Sequence, residues 1–196
     1  MIPVHKYTGR LGNLMFEYAY LYSQTKKGLI PDIYVQDPKY FENCSDDIRA
    51  LYGSDIGFTD KVSIHVRRGD YLGSKFHFNL WDTDYYERAI KYFPNEKFLV
   101  FCADKKGSAQ DKEDMNWCRE YFTKLLGDRA EFREDKDEID DMNTMASCKH
   151  NIIANSTFSW WAAWLNPNPY KKVIAPKQFY CDGVERTVCP REWIRI

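Results

Sequence analysis

The stretch Val62-Ser63-Ile64-His65-Val66-Arg67-Arg68-Gly69-Asp70 decides how this chain of 196 residues is read. Its first five residues suit a strand covered on both faces, and the charged residues that follow mark the edge where that strand leaves a sheet. The same kind of short, nearly apolar run returns at 97–102, 130–133, 151–154 and 172–175. Between the runs lie helical periods near 84–92, 111–126, 137–148 and 157–165, with Asp, Ser or Thr crowding their starts as caps. In the second of these, Trp117, Tyr121 and Leu125 recur at helical spacing. Strands alternating with helices predict an α/β domain with a parallel, doubly wound sheet over residues 61–196.

Upstream, residues 4–7 read as a strand, Gly9-Arg10-Leu11-Gly12-Asn13 as a tight turn and 14–26 as a helix. A second strand at 30–35 and a helix at 46–52 complete residues 1–60, a reduced N-terminal α/β lobe packed on the main domain. Lys plus Arg number 28 against 29 Asp plus Glu, so the net charge of −1 supplies no global field for nucleic acid or anionic lipid. An anionic ligand must be met by a local cluster. No apolar run approaches the roughly 20 residues of a membrane span, so no integral membrane segment is expected. The first residues show no targeting pattern, and the expected location is cytoplasmic. Six cysteines without a CxxC pair read as buried thiols, with only Cys181 and Cys189 close enough in sequence to suggest pairing.

Three places carry candidate chemistry. At the end of the 62–66 strand, two successive residues point to opposite sides, so Arg67, in phase with His65, can face a phosphate while Arg68 braces the site. The alternative is that both arginines are held by Asp70 and neighbouring carboxylates. The second place is Asn155-Ser156-Thr157-Phe158, where a strand gives way to an aromatic-rich helix whose first amides and dipole can seat a phosphate. An ordinary Ser/Thr N-cap explains the same residues, and Trp160, Trp161 and Trp164 read as core. The third is the turn at Gly12 and Asn13, where glycine lets a backbone pass close to a ligand. Asp82-Thr83-Asp84 has the form of a metal-holding DxD, although its place before Tyr85-Tyr86 suits helix capping better.

Taken in order, GRLGNLMFEYA, HVRRGDY, DTDYYERAI, the long block ending NSTFSWWAAWLNP, VIAP and EWIRI resemble glycosyltransferase family 11, the α-1,2-fucosyltransferase family. The resemblance implies a GT-B-like architecture with a Rossmann-type donor-binding domain. It also implies inverting, metal-independent transfer of L-fucose from GDP-fucose to a sugar hydroxyl, galactose O2 above all. GDP-fucose would be a co-substrate and no cofactor is expected; the partners are the nucleotide sugar and a glycan acceptor. Carried over by residue, Arg67 would hold the donor β-phosphate with Arg68 supporting it and His65 beside the nucleotide. Asn155, Ser156, Thr157 and Phe158 would be further donor contacts, Gly12 and Asn13 would close the site from the N-terminal lobe, and an acid near Asp140 or Asp141 would read guanine. Asp70 is the candidate base. Only about fifty residues separate the GLGN turn from HVRRGD, fewer than in most of the family, so the acceptor-side lobe is expected to be reduced. Two other readings stay open: a catalytically idle GDP-sugar-binding protein, and a metal-dependent transferase using Asp82 and Asp84.

Overall fold

The computed structural model describes residues 10–25, 36–53, 56–102, 108–134, 137–182 and 189–196. The strands expected at 4–7 and 30–35 lie outside these residues, as does Gly9.

The sheet grows from β1 (Thr59–His65), whose residues alternate between two different environments. Val62, Ile64 and Val66 pack with α3 (Tyr85–Ile90) and α4 (Ala109–Leu126), in one core that also takes Phe98, Val100 and Ile152. On the other side of the sheet, α1 (Leu11–Thr25), α2 (Ser45–Tyr52), α5 (Glu138–Ala146) and α6 (Thr157–Leu165) share a second core with Phe101, Ile153 and Val173. Around β1 stand β2 (Lys97–Phe101), β3 (Ala130–Phe132), β4 (Cys148–Ile152), β5 (Val173–Ala175) and β6 (Ile194–Arg195). All pairings are parallel, in the order β3-β2-β1-β4-β5-β6. This is the strand order of a Rossmann sheet, and its direction reverses between β1 and β4.

Within the described residues the expected strands and helices are present, with shifted bounds and one addition. β4 begins three residues earlier than the apolar run suggests, because Cys148 pairs with Thr59 and the ladder with β1 reaches back to it. β6 was not anticipated; at two residues it is too short to show a period, and it exists because Ile194 and Arg195 pair with Ile174 and Ala175. Residues 10–53, where described, do not build a core of their own: Met15, Phe16, Phe41 and Ile48 bury into the cluster that holds Trp160, Trp161 and Trp164. Trp161 is fully buried, stacks on Phe41 at 5.5 Å and donates its indole N–H to the Gly12 carbonyl at 2.9 Å. Burying three tryptophans of one helix at such a junction is a large apolar contribution, and it fixes α1 on α6.

Helix starts follow the expected chemistry. Ser108, Asp137 and Ser156 each accept a backbone N–H as N-caps of α4, α5 and α6. Asp84 occupies the N-cap position of α3, but its carboxylate pairs with Arg88 at 2.9 Å and Thr83 Oγ1 takes the Tyr85 amide instead. All six cysteines, Cys181 and Cys189 included, are free thiols. Among the described residues no helix is long and apolar enough to cross a membrane.

Candidate active site

A cleft of about 550 Å³ opens over the carboxyl ends of the central strands, where the reversal of strand order leaves a crevice. Gly12, Asn13, His65, Arg67, Asp70, Asp141, Asn155, Ser156, Thr157 and Phe158 all line it. The sequence placed these ten residues in four separate segments; the fold brings them to one cavity.

Two helix starts meet there. A Cβ on Gly12 would stand 2.6 Å from Thr157 Oγ1 and 2.7 Å from the Phe158 amide nitrogen, so only glycine allows α1 to come this close to α6. Asn13 Oδ1 accepts from Thr157 Oγ1 at 2.9 Å and from Gln36 Nε2 at 2.7 Å, locking the approach. Ser156 Oγ accepts the Phe158 amide at 3.3 Å, so the N-cap reading of this serine holds while the residue also faces the cleft. The first-turn amides of a helix have no partner within it, so two converging N-termini present donors and positive dipole ends to one space.

Charge is added from the end of β1. Arg67 Nη2 lies 2.7 Å from Asp70 Oδ1, and Arg10 Nη2 lies 3.3 Å from Asp70 Oδ2, so one carboxylate spans two guanidiniums at the cleft wall. The ion-pair reading and the ligand-facing reading of Arg67 thus coexist. Arg68 has a different fate. It does not line the cleft; its Nε pairs with the fully buried Asp114 at 3.0 Å, and its guanidinium lies 4.5 Å from the Trp117 ring centre. The second oxygen of Asp114 takes the Gly69 amide at 2.8 Å, and Gly69 has a φ of 32°, a left-handed conformation that favours glycine. The Arg68–Asp114 pair is a brace that sets the turn after β1.

His65 is buried and tilted against Phe158 at 5.6 Å, with its carbonyl accepting the Tyr86 hydroxyl at 3.0 Å. Asn155 spends its amide group on the carbonyls of Phe78 (2.8 Å) and Phe179 (2.9 Å), leaving Oδ1 buried without a hydrogen-bond partner at the cleft wall. At the far end, Arg133 Nε pairs with Asp141 Oδ1 at 3.2 Å, yet burial outweighs the guanidinium and raises the Asp141 pKa above the ordinary carboxylate value. Asp137 and Glu138 stand beside it in the lining. Asp82 and Asp84 are elsewhere: neither lines the cleft, and Asp82 Oδ2 accepts from Asn79 Nδ2 at 3.3 Å.

Sequence reasoning missed Arg10, Arg133, Tyr71, His77, Phe179 and Tyr180, all in the lining. Arg10 sat inside the glycine turn already singled out. For the aromatic group no local signal existed, because His77 and Tyr180 meet through a lone antiparallel bridge across more than a hundred residues.

The family model described as Glycosyl transferase family 11 matches residues 32–196. An alpha-1,2-colitosyltransferase of Escherichia coli is 31% identical over 92% of this chain and 67% of its own length. The O-antigen biosynthesis glycosyltransferase WbnK of the same organism is 30% identical over 88% of this chain and 62% of its own length. Human galactoside alpha-(1,2)-fucosyltransferase 1 is 32% identical over 53% of this chain and 28% of its own length. The chain therefore spans about two thirds of the bacterial relatives and under a third of the human one. With a parallel sheet in Rossmann order and a family match over residues 32–196, the chain belongs to glycosyltransferase family 11.

Proposed function

We propose that this chain transfers L-fucose from GDP-fucose to a sugar hydroxyl, galactose O2 in the first instance, with inversion at the sugar carbon and without a metal. One observation carries the reading: Arg67 and the N-termini of α1 and α6 converge on a single cleft beyond β1 and β4. As the bond from the sugar carbon to the β-phosphate breaks, negative charge collects on the phosphate and positive character on the sugar ring. A fixed guanidinium and preorganised amides stabilise that charge in the transition state more than in the ground state. Arg67 and Arg10, with the Asp70 carboxylate they share, leave a net single positive charge at this part of the cleft. The carboxylates of Asp141 and Glu138 offer acceptors for the N–H edge of guanine at the opposite end of the cleft.

Asp70 is better suited to positioning than to proton abstraction. Both of its oxygens are engaged by guanidiniums, and taking a proton from the acceptor hydroxyl would require one of these contacts to open. In this reading the acceptor proton goes to a phosphate oxygen or to water, and Asp70 keeps Arg67 and Arg10 aimed at the diphosphate. A donor carrying colitose in place of fucose is the second reading, favoured by the bacterial relative named for that sugar.

The test is transfer from GDP-fucose to β-galactosides, run with and without EDTA. Product formation that survives chelation supports the proposal. Tight GDP binding without turnover from either fucosyl or colitosyl donor would make the chain a binding protein. Activity lost with EDTA and restored by Mn²⁺ would return Asp82 and Asp84 to consideration.

A further inference from the structure

Part of the cleft lining is aromatic. There Tyr71, His77, Phe179 and Tyr180 face the same space as Arg67. The His77 ring stacks on Tyr71 with centres 3.8 Å apart and planes 13° from parallel, and the Tyr180 ring centre lies 5.9 Å from it, tilted by 35°. The Arg67 guanidinium sits 5.4 Å from the centre of the same Tyr71 ring. One ring thus separates His77 from the group assigned to the donor phosphate.

The wall is held rigidly. His77 bridges to Tyr180, the Cys181 amide donates to the Phe76 carbonyl at 2.9 Å, and Phe78 N–H donates to the Phe179 carbonyl at 3.3 Å. Asn155 ties both strips to the end of β4 through the Phe78 and Phe179 carbonyls, while the Tyr71 hydroxyl donates to the Asn155 carbonyl at 3.0 Å. Within this frame Nδ1 of His77 lies 2.9 Å from Ser74 Oγ, which fixes the ring and leaves Nε2 for a ligand. Burial and the nearby Arg67 lower the His77 pKa, against the opposing pull of Asp70, so the imidazole is neutral at pH 7. A neutral planar ring beside aromatic faces is suited to an uncharged, hydroxyl-rich ligand and poorly suited to a phosphate.

We propose that the Tyr71–His77–Tyr180 wall is the acceptor subsite, taking a galactoside against the Tyr180 ring, with the fixed His77 Nε2 hydrogen-bonding an acceptor hydroxyl and presenting its neighbour to the sugar carbon. The inference rests on the donor reading above. The guanine base is assigned to the opposite, carboxylate end, so the wall one ring from Arg67 is the space left for the second substrate. Aromatic rings with a polar tip bind such ligands through an apolar face and a directed hydrogen bond together. Leu72 and Phe76, both exposed, flank the wall in sequence and offer further apolar surface to an aglycone.

The test uses the whole chain and its His77→Ala, His77→Phe and Tyr180→Ala variants. GDP affinity is read by calorimetry, and the kinetics of transfer to lactose and a panel of aryl β-galactosides are measured at saturating GDP-fucose. Each substitution should raise the galactoside KM about tenfold, the worth of one hydrogen bond or ring contact, while GDP affinity stays within about threefold of the parent. His77→Phe keeps a ring on Tyr71 and loses the hydrogen bond. If its KM matches the parent, His77 only packs and its assigned role fails. If GDP affinity falls in these variants while the galactoside KM holds, the wall seats the base and the proposal is overturned. A wild-type chain that binds GDP but shows no saturable response to any galactoside also overturns it. Absence of GDP binding in the wild type is the separate result that removes the donor reading.

Discussion

The two sides of β1 differ in what they are made of and in what they do. One side presents Val62, Ile64 and Val66 to α3 and α4, in a core closed by Tyr85, Tyr86 and Phe122. The other presents Ser63, His65 and, one step past the strand, Arg67. Ser63 is buried and accepts from the Asn151 side-chain amide at 2.8 Å, and Asn166 in turn donates to Asn151 Oδ1 at 2.8 Å, so a polar chain runs from β1 to the end of α6. The period of two along the strand keeps stability and chemistry on opposite faces. It also explains the unequal fates of two adjacent arginines. Arg68 is in phase with Val66 and packs half-buried against α4, whereas Arg67 is in phase with His65 and meets the cleft.

This division can be broken most severely on the brace side. Arg68→Ala leaves the fully buried Asp114 carboxylate without its guanidinium, and the expected loss is about 3 to 5 kcal/mol of folding stability. Urea denaturation reads it; a loss under about 1 kcal/mol would show that the pair is not a brace. Arg67→Ala should do the reverse. Transfer falls by about 10²- to 10³-fold, equivalent to about 2.7 to 4 kcal/mol of transition-state stabilisation, while the denaturation midpoint stays close to the parent. Equal effects of the two arginines on both readouts would erase the distinction between the faces.

Smaller effects sharpen the comparison. Gly12→Ala forces a methyl against Thr157 and the Phe158 amide, and backbone cannot yield as a side chain can, so about 1 to 3 kcal/mol of stability should be lost. Gly57→Ala, with open space around it, is the control and should fall within about 0.5 kcal/mol. The last effect concerns Cys148, whose thiol burial raises to about 12 from an ordinary 9.0. The unfolded thiol releases its proton above pH 9 while the folded one keeps it. The stability is therefore fully present below pH 9 and declines as pH rises, by about 1 kcal/mol at pH 10 for this group alone. Denaturation curves at pH 8 and pH 10 should differ by that much less in Cys148→Ala than in the parent; an unchanged difference would place the thiol in contact with solvent.

Much of this was legible in the sequence because it is local. The end of β1, the Ser156 cap and the glycine turn each follow from neighbouring residues, and α6 begins and ends where its pattern predicts. What was not legible depends on partners far along the chain. The early start of β4 comes from pairing with Thr59, since Cys148-Lys149-His150 carries no strand pattern of its own. Asp114 stands among charged residues of α4, and nothing nearby marks it as the buried partner of Arg68. The aromatic wall assembles from residues 71, 77 and 180 only because Asn155 and the bridge at His77 hold two distant strips together. The packing of Phe16 and Phe41 on Trp161 likewise joins positions more than a hundred residues apart, and no local pattern marks it.

The central claim is that Arg67 and two helix starts hold the diphosphate of the donor, and comparing GDP with guanosine by calorimetry tests it most directly. GDP should bind the parent chain at least about a hundredfold more tightly than guanosine, and Arg67→Ala should remove most of that difference, as expected when a charge-assisted contact of about 1.5 to 3 kcal/mol is lost. Equal affinity of the parent for GDP and guanosine, or a GDP affinity untouched by Arg67→Ala, would contradict it.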